Sequence, residues 1–247
     1  MNILFQRAGM EFEWMKTIRS KLPVVCAICL ILVSAAYVRQ ETVFYTAGKN
    51  VSVEQDEKCV VIDAGHGGAD PGKVGINGVN EKEINLQIAE QVKKYLEAAG
   101  VRVVMTRETD EGLNDPGASN KKVQDMKRRI ELIDETKPEV TVSIHQHSYP
   151  EEYVHGAQVF YYNTSVPGKR LAELIQNQLV EKADPDNTRT IKANDSYYLL
   201  KKTEIPIVIV ECGFLSNRAE ADKLCTPEYQ DRIAWAIHMG ILQYLNE

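Results

Sequence analysis

With 247 residues, 44% hydrophobic and 26% charged, the chain is long enough to bury a real core and has the size of one globular domain plus an additional segment. The formal net charge of −6 conceals a split, with +2 carried by residues 1–38 and −8 by the remainder. A mildly acidic body argues against a nucleic-acid partner, whose phosphates require a basic face.

In chain order, the first feature is an apolar run from Leu22 to Val38, 17 residues without a charge, preceded by Lys16, Arg19 and Lys21. Its length lies between a signal-peptide core and a membrane anchor. Ser34-Ala35-Ala36 offers small residues for cleavage, and in either case the cationic flank predicts an exported C-terminal body. Met15-Lys16 resembles a natural start. Cys26 and Cys29 fall inside the run without polar surroundings and are expected to pack rather than bind metal; the five cysteines announce no disulfide framework. Residues 39–57 are polar and without period, as a spacer would be, so the expected organisation is 1–38 targeting segment, 39–57 linker and 58–247 catalytic domain.

From Lys58, runs rich in Val and Ile alternate with helical-period segments, an α/β signature. Strands are predicted at Cys59–Asp63, Val101–Thr106, Val140–His145, Gly156–Tyr162 and Ile205–Glu211. Asn80 and Glu83 have capping-box spacing ahead of Ile84, Ile88, Val92 and Leu96, and Gly100 ends that helix, so Glu81 lies in its first turn. Further helices are predicted over Lys121–Thr136, Lys169–Lys182 and Pro227–Leu245, the last with Thr226 as cap. The turns at Asn114–Gly117 and Asp184–Asn187 are candidates to border a substrate groove.

The first strand runs into Gly65-His66-Gly67-Gly68, a histidine just past a strand's carboxyl end, where ligands collect in α/β sheets. Alone it is more often structural. His145 ends another apolar strand, and Glu81 can reach the same edge through the glycine-rich loop. Two imidazoles and one carboxylate suit a catalytic zinc, leaving a fourth position open. Glu211 ends the apolar run Ile205–Val210, where a carboxylate is costly unless paired with a Lys or Arg or used in chemistry. His147, two positions beyond His145, has three readings: substrate contact, support of the site, or a competing ligand, of which the first two are favoured. Arg107 has two: orienting a substrate carboxylate, or a structural ion pair. His155 and His238 are assigned no role.

Five ordered segments resemble the zinc-dependent N-acetylmuramoyl-L-alanine amidases often called amidase family 3: Val61–Gly68, Asn80–Leu86, Thr106-Arg107, Ser143–His145 and Val210–Asn217. The resemblance spans about Cys59 to Leu245. It implies a single α/β domain with a twisted, mostly parallel central sheet flanked by helices. It implies one zinc ion held by His66, Glu81 and His145, with Glu211 as catalytic glutamate, and hydrolysis of the amide joining the lactyl group of muramic acid to L-alanine. Two positions depart from the family pattern: His147 stands where asparagine is usual, and Asp134 replaces an asparagine five residues after Arg129, a change expected to affect helix packing. Peptidoglycan is the implied partner, with the membrane reached through the N-terminal segment. No wall-binding repeat follows the domain, so that segment, the loops or a protein activator would supply targeting. Single-domain members with an N-terminal anchor resemble those of spore-cortex maturation and germination. A zinc peptidase acting within the stem peptide and a non-catalytic wall-binding protein are the alternatives.

Overall fold

The computed structural model describes residues 57–247; the apolar run, its Cys26–Cys29 pair and nearly all of the expected spacer lie outside the described residues. Strand β1 (Cys59–Ala64) is buried at every position, as its unbroken apolar run requires of a strand covered on both faces. It lies between β2 (Arg102–Met105) and β3 (Val140–His147), parallel to both. Strand β6 (Ile207–Phe214) adds to β3 in parallel. Two further strands, β4 (Gln158–Tyr162) and β5 (Lys192–Asn194), complete a six-stranded sheet of order β2-β1-β3-β6-β4-β5. Strand β4 runs antiparallel to β6 and β5 runs with β4, so the mostly parallel sheet carries a reversed pair at one edge. The expected strands all form; β5, only three residues long, is too short to show a period.

One sheet face is covered by α1 (Glu81–Ala98), α3 (Val166–Gln178) and α6 (Pro227–Leu245), whose apolar stripes meet Val60, Ile62, Val142 and Val210. The other face, with Val61, Phe160, Ile207 and Ile209, is covered by α2 (Lys121–Thr136) and the short α4 (Tyr198–Lys202). That thinner cover leaves the C-terminal ends of the parallel strands open on this side. A short α5 (Arg218–Leu224) follows β6, with the Asn217 side chain accepting from Glu220 N–H. Among the described residues no helix is long and apolar enough to cross a membrane.

Several local expectations are corrected. Asn80 starts α1 without a side-chain cap; its Nδ2 donates to the Glu83 carboxylate instead. Thr226 likewise turns its hydroxyl back to the Lys223 carbonyl. Helix α3 starts three residues earlier than predicted because Ser165 accepts from Gly168 N–H and Pro167 fits the first turn, and it runs into a π-helical turn at Leu179–Ala183. Asp134 is exposed, which removes it from the packing of α2. Neither predicted border loop lines the cavity at the site: Asp115 pairs with Arg128, and Asn187 donates to the Ala157 carbonyl.

Register then places the chemistry. His145 of β3 pairs with Glu211 of β6, and Glu211 with Gln158 of β4, so three neighbouring strands present these side chains in one row. The row tops the thinly covered face.

Candidate metal centre

Below that row lies a buried polar foundation. Arg129 of α2 reaches Asp63 through Nη1 at 2.5 Å and Asp125 through Nε at 2.7 Å, and Asp63 also accepts from Ser143 Oγ and Thr106 Oγ1. Burial pushes the Asp63 carboxyl up, but Arg129, then Ser143, His145 and Thr106, outweigh it and hold it at about 2. The same guanidinium donates to the carbonyls of Ala64 and His66, at 2.9 and 2.7 Å. This grip matters because His66 is held at φ 63°, a left-handed conformation costly for a residue with a Cβ.

Held in that turn, His66 directs Nδ1 to Asp70 Oδ2 at 3.0 Å and Nε2 to Glu81 Oε1 at 3.2 Å. His145 brings Nδ1 to 2.9 Å from the same Glu81 oxygen. Glu81 is itself fixed by backbone donors, Lys73 N–H to Oε2 and Gln146 N–H to Oε1, and by Asn85 Nδ2. Burial works against the Glu81 carboxylate, yet the hydrogen bonds and charges of His145 and His66 prevail and hold its pKa far below the usual range. Burial also opposes protonation of His145, but Glu81 reverses the balance and raises its pKa.

His66, Glu81 and His145 each offer one ligand atom, all within 4.8 Å of one another, and form a group that could hold a metal ion. The donor set fits zinc: two imidazole nitrogens, one carboxylate oxygen and a carboxylate, Asp70, orienting the outer nitrogen of His66. The backbone is shaped around these side chains. A Cβ on Gly65 would lie 2.3 Å from His145 Nε2, and one on Gly72, at φ +69°, would lie 2.5 Å from Glu81 Oε2 and 2.7 Å from His66 Cδ2.

Glu211 faces the same cavity, which is also lined by Met126, Tyr197, Tyr198 and Leu199. It has no salt bridge among the described residues, contrary to the structural alternative. Its Oε1 accepts from Tyr197 Oη at 3.3 Å, while Oε2 is buried without a hydrogen-bond partner. Burial pushes the carboxyl up to about 7, with the charge of Glu81 adding to the push and His145, Tyr197 and His66 resisting it. Asp70, Arg129 and Tyr197 were not singled out from the sequence. Asp70, four residues from His66 in the glycine-rich loop, carries a legible spacing; Tyr197 carries none, since its contact with Glu211 depends on how the β5–β6 connection folds back.

Of the two remaining candidates, Arg107 departs from both of its readings, whereas His147 is not among the ligand group, in keeping with the favoured ones. Arg107 is 6% exposed and turned inward, donating to the carbonyls of Ala64, Gly65, Thr109 and Lys82, so it clamps the glycine-rich loop to α1 rather than facing a substrate or an ion-pair partner. His147 stands outside the ligand group. A register shift separates it from His145, its Nδ1 accepts from Ser148 N–H, and its ring stacks on Phe214 at 4.7 Å. Burial, with Arg189 and Lys192, lowers its pKa. His238 packs against Tyr95 and Trp235 on α6, the helix that covers the opposite sheet face.

Comparison with known proteins gives a consistent picture. The family model described as N-acetylmuramoyl-L-alanine amidase matches residues 60–243. The germination-specific N-acetylmuramoyl-L-alanine amidase of Bacillus subtilis is 38% identical over 193 residues, covering 77% of this chain and 81% of that protein. The CwlD amidase of Clostridioides difficile, solved in complex with the GerS lipoprotein, is 39% identical with a TM-score of 0.75, covering 76% of this chain and 98% of that one. The N-acetylmuramoyl-L-alanine amidase AmiC2 of Nostoc punctiforme is 35% identical with a TM-score of 0.68, covering 77% and 98%.

Proposed function

The chain belongs to the N-acetylmuramoyl-L-alanine amidase family, and from that premise we propose that His66, Glu81 and His145 hold one zinc ion and that Glu211 carries the proton in its reaction. The enzyme hydrolyses the amide between the lactyl group of N-acetylmuramic acid and L-alanine in peptidoglycan. Zinc, when bound, supplies a Lewis acid for the amide carbonyl and lowers the pKa of water toward ~7. The residues supply the rest. Glu211 Oε2, buried and unpaired on the cavity wall, takes the proton of the attacking water and delivers it to the departing nitrogen of L-alanine. Burial raises the pKa of this carboxyl above the usual range, which suits it to take up and return a proton. Tyr197 Oη holds Oε1 and so orients the working oxygen. Asp70 fixes the ring of His66, and Arg129 holds its strained backbone.

The observation carrying this reading is the convergence of three ligand atoms beside a buried carboxyl that lacks a charge partner. In the same reading the enzyme works outside the membrane, exported by its N-terminal segment and either anchored there or released by cleavage. Spore-cortex maturation or germination is the proposed setting, supported by the germination-specific name of the Bacillus relative. The Clostridioides relative's complex with a lipoprotein supports a protein partner here as well.

Zinc content and product analysis test the assignment on the protein alongside Glu211→Ala. The expected result is one zinc in both proteins, with stem peptides released and free lactyl carboxylates left on the glycan by the unaltered enzyme alone. Shortened stems still attached to glycan would indicate a peptidase instead. Zinc-free protein after metal supply would overturn the ligand set.

A further inference from the structure

Beyond Glu211 the sheet continues toward the β4–β5 edge as an aromatic shelf, in which Phe160 and Phe214 are buried and Tyr197 and His147 partly exposed. Tyr197, which touches Glu211, meets Phe160 with ring centroids 5.5 Å apart, and Phe160 meets His147 at 6.0 Å. His147 in turn stacks on Phe214. Two cations stand over this shelf: the Arg189 guanidinium lies 4.6 Å from the Phe214 ring centroid, and Lys192 Nζ lies 5.8 Å from that of Phe160. Arg189 is held in place by Nε donating to the His155 carbonyl and Nη1 to Gln158 Oε1, which leaves Nη2 without a protein partner among the described residues. Gln158 belongs to the same row as His145 and Glu211.

The two rims of the site differ in charge. On the α2 side, Lys122 and Arg129 are committed to Asp70, Asp63 and Asp125. On the shelf, neither Arg189 nor Lys192 has a carboxylate within ion-pair distance among the described residues. Two unneutralised cations on a chain of net charge −6, one of them braced over an aromatic ring, mark a place for an anionic ligand. The proposed substrate brings one. The peptide leaving from the scissile nitrogen ends in carboxylates, whereas the glycan on the other side of the amide is a polyol.

Resting on the amidase reading, we propose that Arg189 and Lys192, above the Phe160–His147–Phe214 shelf, form the subsite that takes the carboxylates of the peptide stem and so fix which way the substrate lies across Glu211. The carboxylates meet Arg189 Nη2 and Lys192 Nζ at the β4–β5 edge, where the buried Phe160 and Phe214 rings support the two cations from below. Specificity for acidic over amidated stems follows from these two side chains.

Binding of N-acetylmuramoyl-L-alanyl-D-glutamate and of its diamide, measured by calorimetry on the full-length, zinc-loaded Glu211→Gln protein, tests this without turnover. The diacid is expected to bind about tenfold more tightly, the order that two half-exposed ion pairs supply. Arg189→Gln with Lys192→Gln should bring that preference close to one, Lys192→Gln alone, at an exposed edge position, should reduce it, and Arg189→Lys should restore part of it. A preference that survives the double substitution, or no preference at the outset, overturns the subsite. Incubating the zinc-loaded unaltered enzyme with the diacid separates the two readings: preference without cleavage ends the amidase assignment and leaves the subsite standing, whereas cleavage without preference does the reverse.

Discussion

Asp63 carries the electrostatic load beneath the site. Its folded pKa of about 2 lies below the ~3.9 of an unfolded aspartate, so its stabilisation is complete above about pH 4 and is lost as pH falls toward 2. Thermal melts between pH 6 and pH 2 should therefore decline less steeply for Asp63→Asn than for the unaltered protein; parallel declines would remove Asp63 from the acid response. Gly72 tests the shaping of the metal cradle. Its φ of +69° and the 2.5 Å that would separate an added Cβ from Glu81 Oε2 leave alanine no room without moving the carboxylate. Gly72→Ala is expected to weaken zinc binding at least about tenfold, since misplacing one of three ligands costs well over ~1.4 kcal/mol. Unchanged affinity in a zinc titration would show that Glu81 is not a ligand. At this scale the positions of Glu81, His145 and Glu211 were legible because Glu81 opens a helix with capping-box spacing and His145 and Glu211 follow apolar strand runs, although β3 and β6 continue past them to His147 and Phe214. Arg107 was not, because the direction of its guanidinium depends on loop carbonyls brought to it by folding.

Among the elements, α3 and α6 make a close crossing. A Cβ at Gly240 would stand 2.6 Å from Ile175 Cα, a backbone atom that cannot swing aside. Gly240→Ala should therefore destabilise by about 1–3 kcal/mol despite alanine's better helix propensity, and a urea midpoint lowered at unchanged slope is the reading that checks it. In sequence, Gly240 looks like a weak point of a helix; packing gives its reason. Helices α2 and α6 were legible to both ends because their apolar period is long and Pro227 marks the start of α6. Strand β5 and helix α4, three and five residues long, contain no full period, and their pairing with β4 and with the α2 face is what creates them.

At the scale of the whole molecule, the proposed ligands tie together the turn after β1, the start of α1 and the end of β3. A metal bound to the folded form alone stabilises it by about 2.7 kcal/mol at a hundredfold excess over Kd. For a domain of this size that is a rise in Tm of roughly 5–10 °C on zinc addition, reversed by chelator. The rise should vanish in Glu81→Gln, and a rise that persists there would place the stabilising ion elsewhere. The two sheet faces also divide the labour: α1, α3 and α6 seal one, while the lighter cover of α2 and α4 leaves the other accessible at the strand ends.

The α/β alternation, the strands that carry His145 and Glu211, the helix that begins at Glu81 and the family to which these segments belong are legible along the chain, because each is written in local composition and period. Folding alone brings Asp70 and Arg129 to brace His66, Tyr197 to hold Glu211, Arg107 to face inward, and Arg189 and Lys192 over one aromatic shelf. Those are contacts between side chains on different elements. Their directions and charge partners are set by sheet register and by the return of loops, neither of which is encoded in any single window of the chain.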